Sequence, residues 1–181
     1  LGFGKYFSDH MVTVDYSDDK GWHNAQLVPY GPICLDPAAM VFHYGQELFE
    51  GMKAYPAADG RVLLFRPEKN AERMIRSCER MCMASLPTED FIQCVEALVN
   101  ADRDWIPTAP GTSLYLRPFI IATDAMLGVH ASHTYKAVFI ASPTGSYYPN
   151  GFAPIRIFVE DEYTRASRGG TGYAKCGGNY G

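Results

Sequence analysis

Residues 169–181 read Gly-Gly-Thr-Gly-Tyr-Ala-Lys-Cys-Gly-Gly-Asn-Tyr-Gly, and six of the chain's 17 glycines lie in this stretch around Lys175. Because glycine has no side chain and permits positive φ, such a backbone can bend sharply and approach a bound group closely. A lysine in this kind of setting can become a neutral amine, which attacks aldehydes and forms Schiff bases. The stretch therefore predicts a lysine that holds a cofactor covalently.

Three other interpretations of the stretch compete with this one. A phosphate loop requires Lys to lie between Gly and Ser or Thr, whereas Ala174 precedes Lys175 and Cys176 follows it. A dinucleotide fingerprint is excluded because Gly170 and Gly172 lack a third glycine at the required offset. A frayed, glycine-rich terminus stays open from this stretch alone.

The composition is that of an ordinary globular protein. The 181 residues are 47% apolar and 20% charged, which suits one domain, or one domain plus part of another. The net charge is −4 and there is no basic stripe, so we expect no nucleic-acid partner. We expect no membrane span, because no apolar run approaches about 18 residues. We expect no secretory signal, because the N-terminus lacks a charged segment followed by an apolar one.

Cysteine and histidine spacing predicts no metal site. The five cysteines include no CxxC pair, and the five histidines form no HExxH motif. An odd number of cysteines fits reduced thiols in a cytoplasmic protein. Leu1 is not a natural start, so we expect upstream residues.

Alternating and β-branched segments predict strands, and the Asp59-Gly60 pair predicts a hairpin between two of them. The predicted strands are 11–16, 26–30, 49–55, 61–65, 113–123, 135–142 and 154–160. Two helices are predicted between the early and late strands, the first beginning at Pro67 and the second after Pro87 and ending at 105–107. This order indicates an α+β domain.

Helical spacing predicts the buried face of each helix, with Thr88 as the cap of the second. The stripe of the first helix consists of Ala71, Met74, Ile75, Cys78, Met81 and Cys82. That of the second consists of Phe91, Val95, Leu98 and Val99.

Two sets of arginines are candidate anion sites. Tyr115 and Arg117 lie two apart on a predicted strand and so share a face, where the arginine needs an anion or a carboxylate partner. A structural ion pair is the alternative. Arg73, Arg76 and Arg80 follow one side of the first helix, where one of them is a candidate phosphate ligand. A solvated basic face is the alternative. Residues 43–51 form either a pocket edge or a turn.

Taken together, these motifs resemble the branched-chain amino acid aminotransferases, which are fold type IV pyridoxal-phosphate enzymes. The resemblance runs along the whole chain in the family's order. It is carried by residues 3–11, 43–51, 65–67 with 70–73, 113–118, 127–129, and 169–172 with 175–180.

The resemblance implies a role for each matching residue. Lys175 matches the lysine that holds pyridoxal 5'-phosphate and moves the α-proton, Arg73 the ligand of its phosphate, and Tyr180 the tyrosine facing its 3′-oxygen. Arg117 matches the arginine that helps to admit glutamate's second carboxylate. The side-chain pocket is expected to be walled by Phe3, Phe49, Tyr115 and Tyr147. Residues reaching the neighbouring subunit's site in a homodimer are expected to be Tyr44, Leu127 and Val129.

The resemblance also implies a domain layout. We expect a small N-terminal α/β domain at 1–148, a connection at 149–153 within the turn-rich stretch 143–151, and the first strands of a large cofactor-binding domain at 154–181. Family members run on for about as many residues again, so we expect the 181-residue piece alone to be inactive. The implied activity is transamination of Leu, Ile and Val with 2-oxoglutarate or glutamate in the cytoplasm. The alternatives are a D-amino acid aminotransferase, an aminodeoxychorismate lyase, or a non-catalytic association domain.

Overall fold

The computed structural model describes residues 1–146, 148 and 153–181. The strands are β1 (His10–Ser17), β2 (Gly21–Pro29), β3 (Glu47–Phe49), β4 (Met52–Pro56), β5 (Val62–Leu64), β6 (Ser113–Ala122) and β7 (Thr134–Thr144). The α-helices are α1 (Met40–Tyr44), α2 (Pro67–Met81) and α3 (Thr88–Ala101), with 3-10 turns at Arg103–Trp105 and Gly177–Asn179. The α+β prediction is confirmed.

All seven strands join one antiparallel sheet in the order β2-β1-β7-β6-β4-β5, and β3 pairs with β6 beside β4. The long central strands alternate between two faces, since their successive side chains point in opposite directions. Leu114, Leu116 and Ile120 of β6 are buried in the main core. Tyr115 and Arg117 lie on the opposite, half-buried face. The sheet therefore separates the core from the face that carries the candidate site residues.

Helices α2 and α3 cover the core face of the sheet. Ala71, Met74 and Cys78 of α2 are buried there, as are the four predicted apolar residues of α3. Phe91 is fully buried and meets Phe139 of β7 edge-on, with ring centroids 5.4 Å apart. The helical periodicity predicted from the sequence is confirmed for both helices.

Four local predictions are wrong. Cys82 is exposed because it takes a left-handed conformation (φ 54°) that ends α2, so it does not extend the buried stripe. Thr88 is the first residue of α3 and makes no capping hydrogen bond, because Pro87 precedes the helix. Residues 154–160 form no strand, and Phe158 and Val159 are highly exposed, because no strand in the part of the chain that the structure describes pairs with them.

The fourth wrong prediction is the single strand at 49–55, which is split at Glu50 and Gly51. β3 and β4 pair with different parts of β6, and the Glu50 N–H donates to the carbonyl of Pro118 between them. Pro118 cannot return a hydrogen bond because proline has no N–H. The ladder is therefore interrupted at this point, and Glu50 is buried like Leu48 and Met52, as the alternation of a strand requires.

The domain boundaries remain predictions, and residues 149–152 of the expected connection lie outside the described residues. No helix among the described residues has both the length and the apolar character that crossing a membrane requires.

The core packing predicts a large effect for Phe91→Ala. Removing a fully buried ring should lower the free energy of unfolding by about 3–5 kcal/mol, because apolar burial is lost and a cavity remains. Phe65→Ala is the matched control, since Phe65 is 78% exposed and should change stability by less than about 0.5 kcal/mol. Urea denaturation followed by circular dichroism measures both. Equal effects of the two substitutions would contradict this packing.

Candidate active site

The backbone around Lys175 is fixed on both sides by the sheet and α2. The Lys175 N–H donates to Oγ of Ser77 on α2 at 3.0 Å, and its carbonyl accepts the N–H of Phe49 on β3 at 3.0 Å. The Gly177 N–H donates to the Glu47 carboxylate. A Cβ at position 177 would collide with that carboxylate, so a side chain here would displace Glu47 from this hydrogen bond.

Asn179 holds the glycine-rich segment in shape from within. It is buried, and its amide donates to the carbonyls of Thr171 at 3.0 Å and Ala174 at 2.8 Å, while its oxygen accepts the Thr171 hydroxyl at 3.0 Å. Arg80 adds two hydrogen bonds to the Gly170 carbonyl, at 3.1 and 2.8 Å. The frayed-terminus alternative is therefore wrong.

The Lys175 amine lies between two aromatic side chains. Nζ is 3.2 Å from the Tyr180 hydroxyl and 4.3 Å from the centroid of the Phe49 ring. The two rings are 5.3 Å apart. The structure thus places a phenol oxygen within hydrogen-bonding distance of the amine.

Arg117 extends this group of aromatic side chains along β6. Its guanidinium carbon lies 4.6 Å from the Phe49 ring centroid, and its Nη2 donates to the Tyr115 hydroxyl at 2.9 Å. Phe3 meets Tyr115 edge-on, with centroids 4.8 Å apart. A cavity of about 210 Å³ opens beside Phe3, Tyr115 and Arg117.

The structural ion pair considered for Arg117 is not found among the salt bridges of the described residues. Glu47 is the acid that acts on it electrostatically. Burial raises the pKa of the Glu47 carboxyl, although the Gly177 N–H and Arg117 offset part of this rise. Arg117 therefore remains as a positive charge on the half-buried face of the sheet, without a salt bridge among the described residues.

Arg73 pairs with a buried acid. Its Nε and Nη2 donate to the Glu50 carboxylate at 2.6 and 2.8 Å, and Asn70 adds a bond to the same group at 2.9 Å. Glu50 is fully buried whereas the Arg73 side chain is 47% exposed, so the acid anchors the arginine from below. The Glu50 hydrogen bond raises the pKa of Arg73. Arg73, Arg76 and Arg80 are all exposed, as a solvated basic face requires, but Arg73 differs in being tied to a buried acid.

The residues expected to reach a neighbouring subunit form a separate group. The Tyr44 hydroxyl donates to the carbonyl of Leu127, and Leu127 and Val129 are 62% and 85% exposed. Among the described residues, none of the three has a hydrogen bond or ring contact with Lys175. Tyr147, the remaining predicted wall of the pocket, lies outside the described residues.

Sequence reasoning missed the residues that support the site. Ser77 interrupts the apolar stripe of α2, and a buried hydroxyl in such a stripe needs a partner, so this signal was available. Glu47, Glu50 and Asn179 offered no comparable signal, because their partners lie 20 or more positions away or within an irregular turn.

The residues present fit pyridoxal 5'-phosphate. An amine that can carry an aldehyde lies next to a phenol that can hydrogen-bond a ring oxygen. Arg73 is held in place by Glu50 through two of its three nitrogens, which leaves Nη1 outside that pair and able to reach an anion. Aromatic surfaces surround both.

The fold is that of the fold type IV aminotransferases. The Escherichia coli branched-chain amino acid aminotransferase superposes with a TM-score of 0.60 at 18% identity, over 96% of this chain and 51% of that one. The branched-chain amino acid aminotransferase of Thermobaculum terrenum, in its PLP-form, gives a TM-score of 0.59 at 17% identity, over 77% and 41%. No protein-family model matches the chain.

Sequence similarity leads to the same class. The chain is 56% identical over 180 residues to branched-chain-amino-acid aminotransferase 2 of Bacillus subtilis (strain 168), covering 99% of this chain and 50% of that protein. It is also 56% identical to the Mycolicibacterium smegmatis branched-chain-amino-acid aminotransferase, over 99% and 49%. The resemblance to branched-chain aminotransferases is confirmed, and the chain spans about half the length of the curated relatives it matches.

The raised pKa of Glu47 predicts a pH-dependent stability. Because the folded state holds this proton more tightly than the unfolded state, the free energy of unfolding should fall as pH rises from the ordinary value of 4.5 through the raised one. Glu47→Gln should flatten this part of the profile, since it keeps an oxygen for the Gly177 N–H and removes the titration. Urea denaturation between roughly pH 4 and 8 measures the slope.

Glu96→Gln is the control for this prediction, because Glu96 is an exposed glutamate on α3. Its profile should match that of the unsubstituted chain. A Glu47→Gln profile that keeps the original slope would show that Glu47 is not the titrating group.

Proposed function

We propose that this chain supplies the catalytic lysine and one wall of the substrate pocket for pyridoxal-phosphate-dependent transamination of leucine, isoleucine and valine with 2-oxoglutarate. The observation that carries the proposal is the position of Lys175 Nζ, 3.2 Å from the Tyr180 hydroxyl, on a backbone fixed by Ser77 and Phe49. Similarity to branched-chain aminotransferases over 99% of the chain supports the substrate class.

Each residue of the site has a defined task in this reaction. Pyridoxal phosphate, when bound, supplies the aldehyde carbon and a ring that accepts the electrons released with the α-proton. Lys175 holds that carbon and then carries the α-proton on Nζ. Tyr180 orients the amine and hydrogen-bonds a ring oxygen, and Arg73, fixed by Glu50, binds the phosphate.

The pocket has to admit both an aliphatic side chain and the second carboxylate of glutamate. Phe3, Phe49 and Tyr115 offer aromatic surface for the first, and we place Tyr147 with them by resemblance. Arg117 offers a cation for the second, and its bond to the Tyr115 hydroxyl keeps the guanidinium beside the cavity.

The assembly proposed is a homodimer in the cytoplasm, acting on amino acids and 2-oxo acids without a nucleic-acid or membrane partner. Leu127 and Val129 are apolar and largely exposed, as expected of residues that complete a neighbouring subunit's site together with Tyr44. The net charge of −4 argues against nucleic acid.

Lys175→Ala should abolish the reaction. Because the chain spans about half of its relatives, the test uses a chimera in which it replaces the matching 180 residues of the Bacillus subtilis enzyme. The chimera should transaminate leucine with 2-oxoglutarate, and Lys175→Ala should lower kcat about 100-fold or more, since general acid–base catalysis alone contributes that much. Lys20→Ala, in an exposed turn, is the control.

Borohydride reduction with pyridoxal phosphate, followed by peptide mass mapping, distinguishes the possible failures. An adduct on Lys175 in a chimera that ignores branched-chain substrates would exclude the substrate class but keep the cofactor site. An active chimera with its adduct on another lysine, or activity that survives Lys175→Ala, would overturn the assignment of Lys175.

Arg117→Gln should separate the two kinds of substrate. In the same chimera, kcat/KM should fall roughly tenfold or more for 2-oxoglutarate, because an ionic hydrogen bond is lost, and change little for 4-methyl-2-oxovalerate. Arg61→Gln, on the exposed hairpin, should leave both substrates unaffected. Equal losses for the two oxo acids would show that Arg117 is structural.

A further inference from the structure

The loop between β6 and β7 carries a cluster of side chains that the proposed transamination does not use. Asp124, His130 and His133 each place one ligand atom within 4.8 Å of the other two. The loop ends are already joined, because the Thr123 N–H donates to the Thr134 carbonyl at 3.0 Å and their hydroxyls bond at 2.9 Å. The spacing of the three residues matches neither CxxC nor HExxH, so no sequence motif indicates this cluster.

The hydrogen bonds of the two imidazoles determine which ring nitrogens are available. Nδ1 of His130 lies 2.6 Å from the Gly128 carbonyl oxygen, which can only accept, so this nitrogen carries a proton. Nδ1 of His133 lies 2.7 Å from the Asp18 carboxylate and is held in the same way. In both rings Nε2 remains as the nitrogen able to bind a cation.

This arrangement has the form found around metal-bound histidines. Ligating histidines donate their other ring N–H to a carboxylate or a backbone carbonyl, which fixes the ring orientation. The carboxylate is oriented as well, because Oδ2 of Asp124 accepts the backbone N–H of His133 at 3.0 Å. His130 Nε2 lies 3.2 Å from that same oxygen. An ion pair between these two residues accounts for that contact but gives no role to His133 Nε2.

We propose that Asp124, His130 and His133 bind a divalent cation of borderline softness, with Zn²⁺ as the best match. Two imidazoles and one carboxylate are a ligand set that Zn²⁺ accepts, with water completing the tetrahedron. Bonds of about 2.0–2.2 Å place tetrahedral ligands roughly 3.4 Å apart. The loop therefore has to close by up to about 1.4 Å around the ion, a small movement for an exposed connection.

Bound zinc would tie position 124 to position 133 and so restrict the tip between them. That tip carries Leu127 and Val129, two highly exposed apolar residues of the loop. The test below measures zinc binding and not activity, so its outcome is distinguishable from that of the proposed transamination.

Calorimetric titration of the 181-residue chain with zinc chloride tests the site. The chain is prepared without a histidine tag and with its thiols alkylated, because Cys34 and Cys82 are exposed and would bind zinc themselves. One zinc per chain is expected. The His130→Gln/His133→Gln double variant should weaken binding at least roughly tenfold, since it removes two of the three protein ligands. His23→Gln, on β2, should leave binding unchanged.

Nitrogen-15 spectra of the unsubstituted chain provide a second measurement that does not depend on the variants. Zinc should shift Nε2 of His130 and His133 and leave the rings of His10, His23 and His43 in place. Zinc binding of equal strength in the double variant, or a spectrum in which the Nε2 signals of both loop histidines do not move, would leave only the ion pair and overturn the proposal.

Discussion

The attachment of the Lys175 backbone to β3 and α2 is the constraint on which the rest of the site depends. A lysine side chain has a flexible four-carbon stem, so its amine is placed only as well as its main chain is held. Here the N–H, the carbonyl and the N–H two residues later are each bound, to Ser77, Phe49 and Glu47. These partners belong to β3 and α2, which also carry or adjoin the aromatic side chains of the site. The position of the amine is therefore fixed relative to those side chains.

Strand alternation explains why an acid can support Arg73 from the buried side of the sheet. Leu48, Glu50 and Met52 are all buried, so Glu50 keeps the alternation of side chains across the break between β3 and β4. Its N–H donates to the Pro118 carbonyl, and its carboxylate meets Arg73 and Asn70. Burying the acid is tolerable only because both oxygens are hydrogen-bonded and the partner is a cation. The place of one acid in the alternation of a strand thus determines where Arg73 of α2 is held.

Local pattern predicted most of the fold and little of the site's support. The spacing of Met74 and Cys78 and the Asp59-Gly60 turn are encoded within a few residues, so both helices and the hairpin were predictable. Cys82 had the right spacing, but the left-handed end of α2 overrode it. Residues 154–160 had a strand composition without a partner strand. Strand periodicity predicted that Tyr115 and Arg117 share one face of the sheet. The roles proposed for the other site residues came from the resemblance to the aminotransferase family. Glu47 and Asn179 act through tertiary contacts that no local spacing contains.

The two arginines of the site differ in a way that supports the separate roles proposed for them. Arg73 is neutralised from beneath by a fully buried carboxylate, which fixes it firmly and reduces the net charge it presents. Arg117 is held instead by a phenol hydroxyl and two aromatic rings, which orient a guanidinium without cancelling its charge. Its acidic neighbour is Glu47, whose pKa is raised by burial and whose carboxylate is already bound to the Gly177 N–H. An anion entering the cavity beside Tyr115 therefore meets a guanidinium that is already held in position. Among the described residues this guanidinium has no salt bridge that the anion would have to displace. Such an arrangement favours reversible binding of a carboxylate.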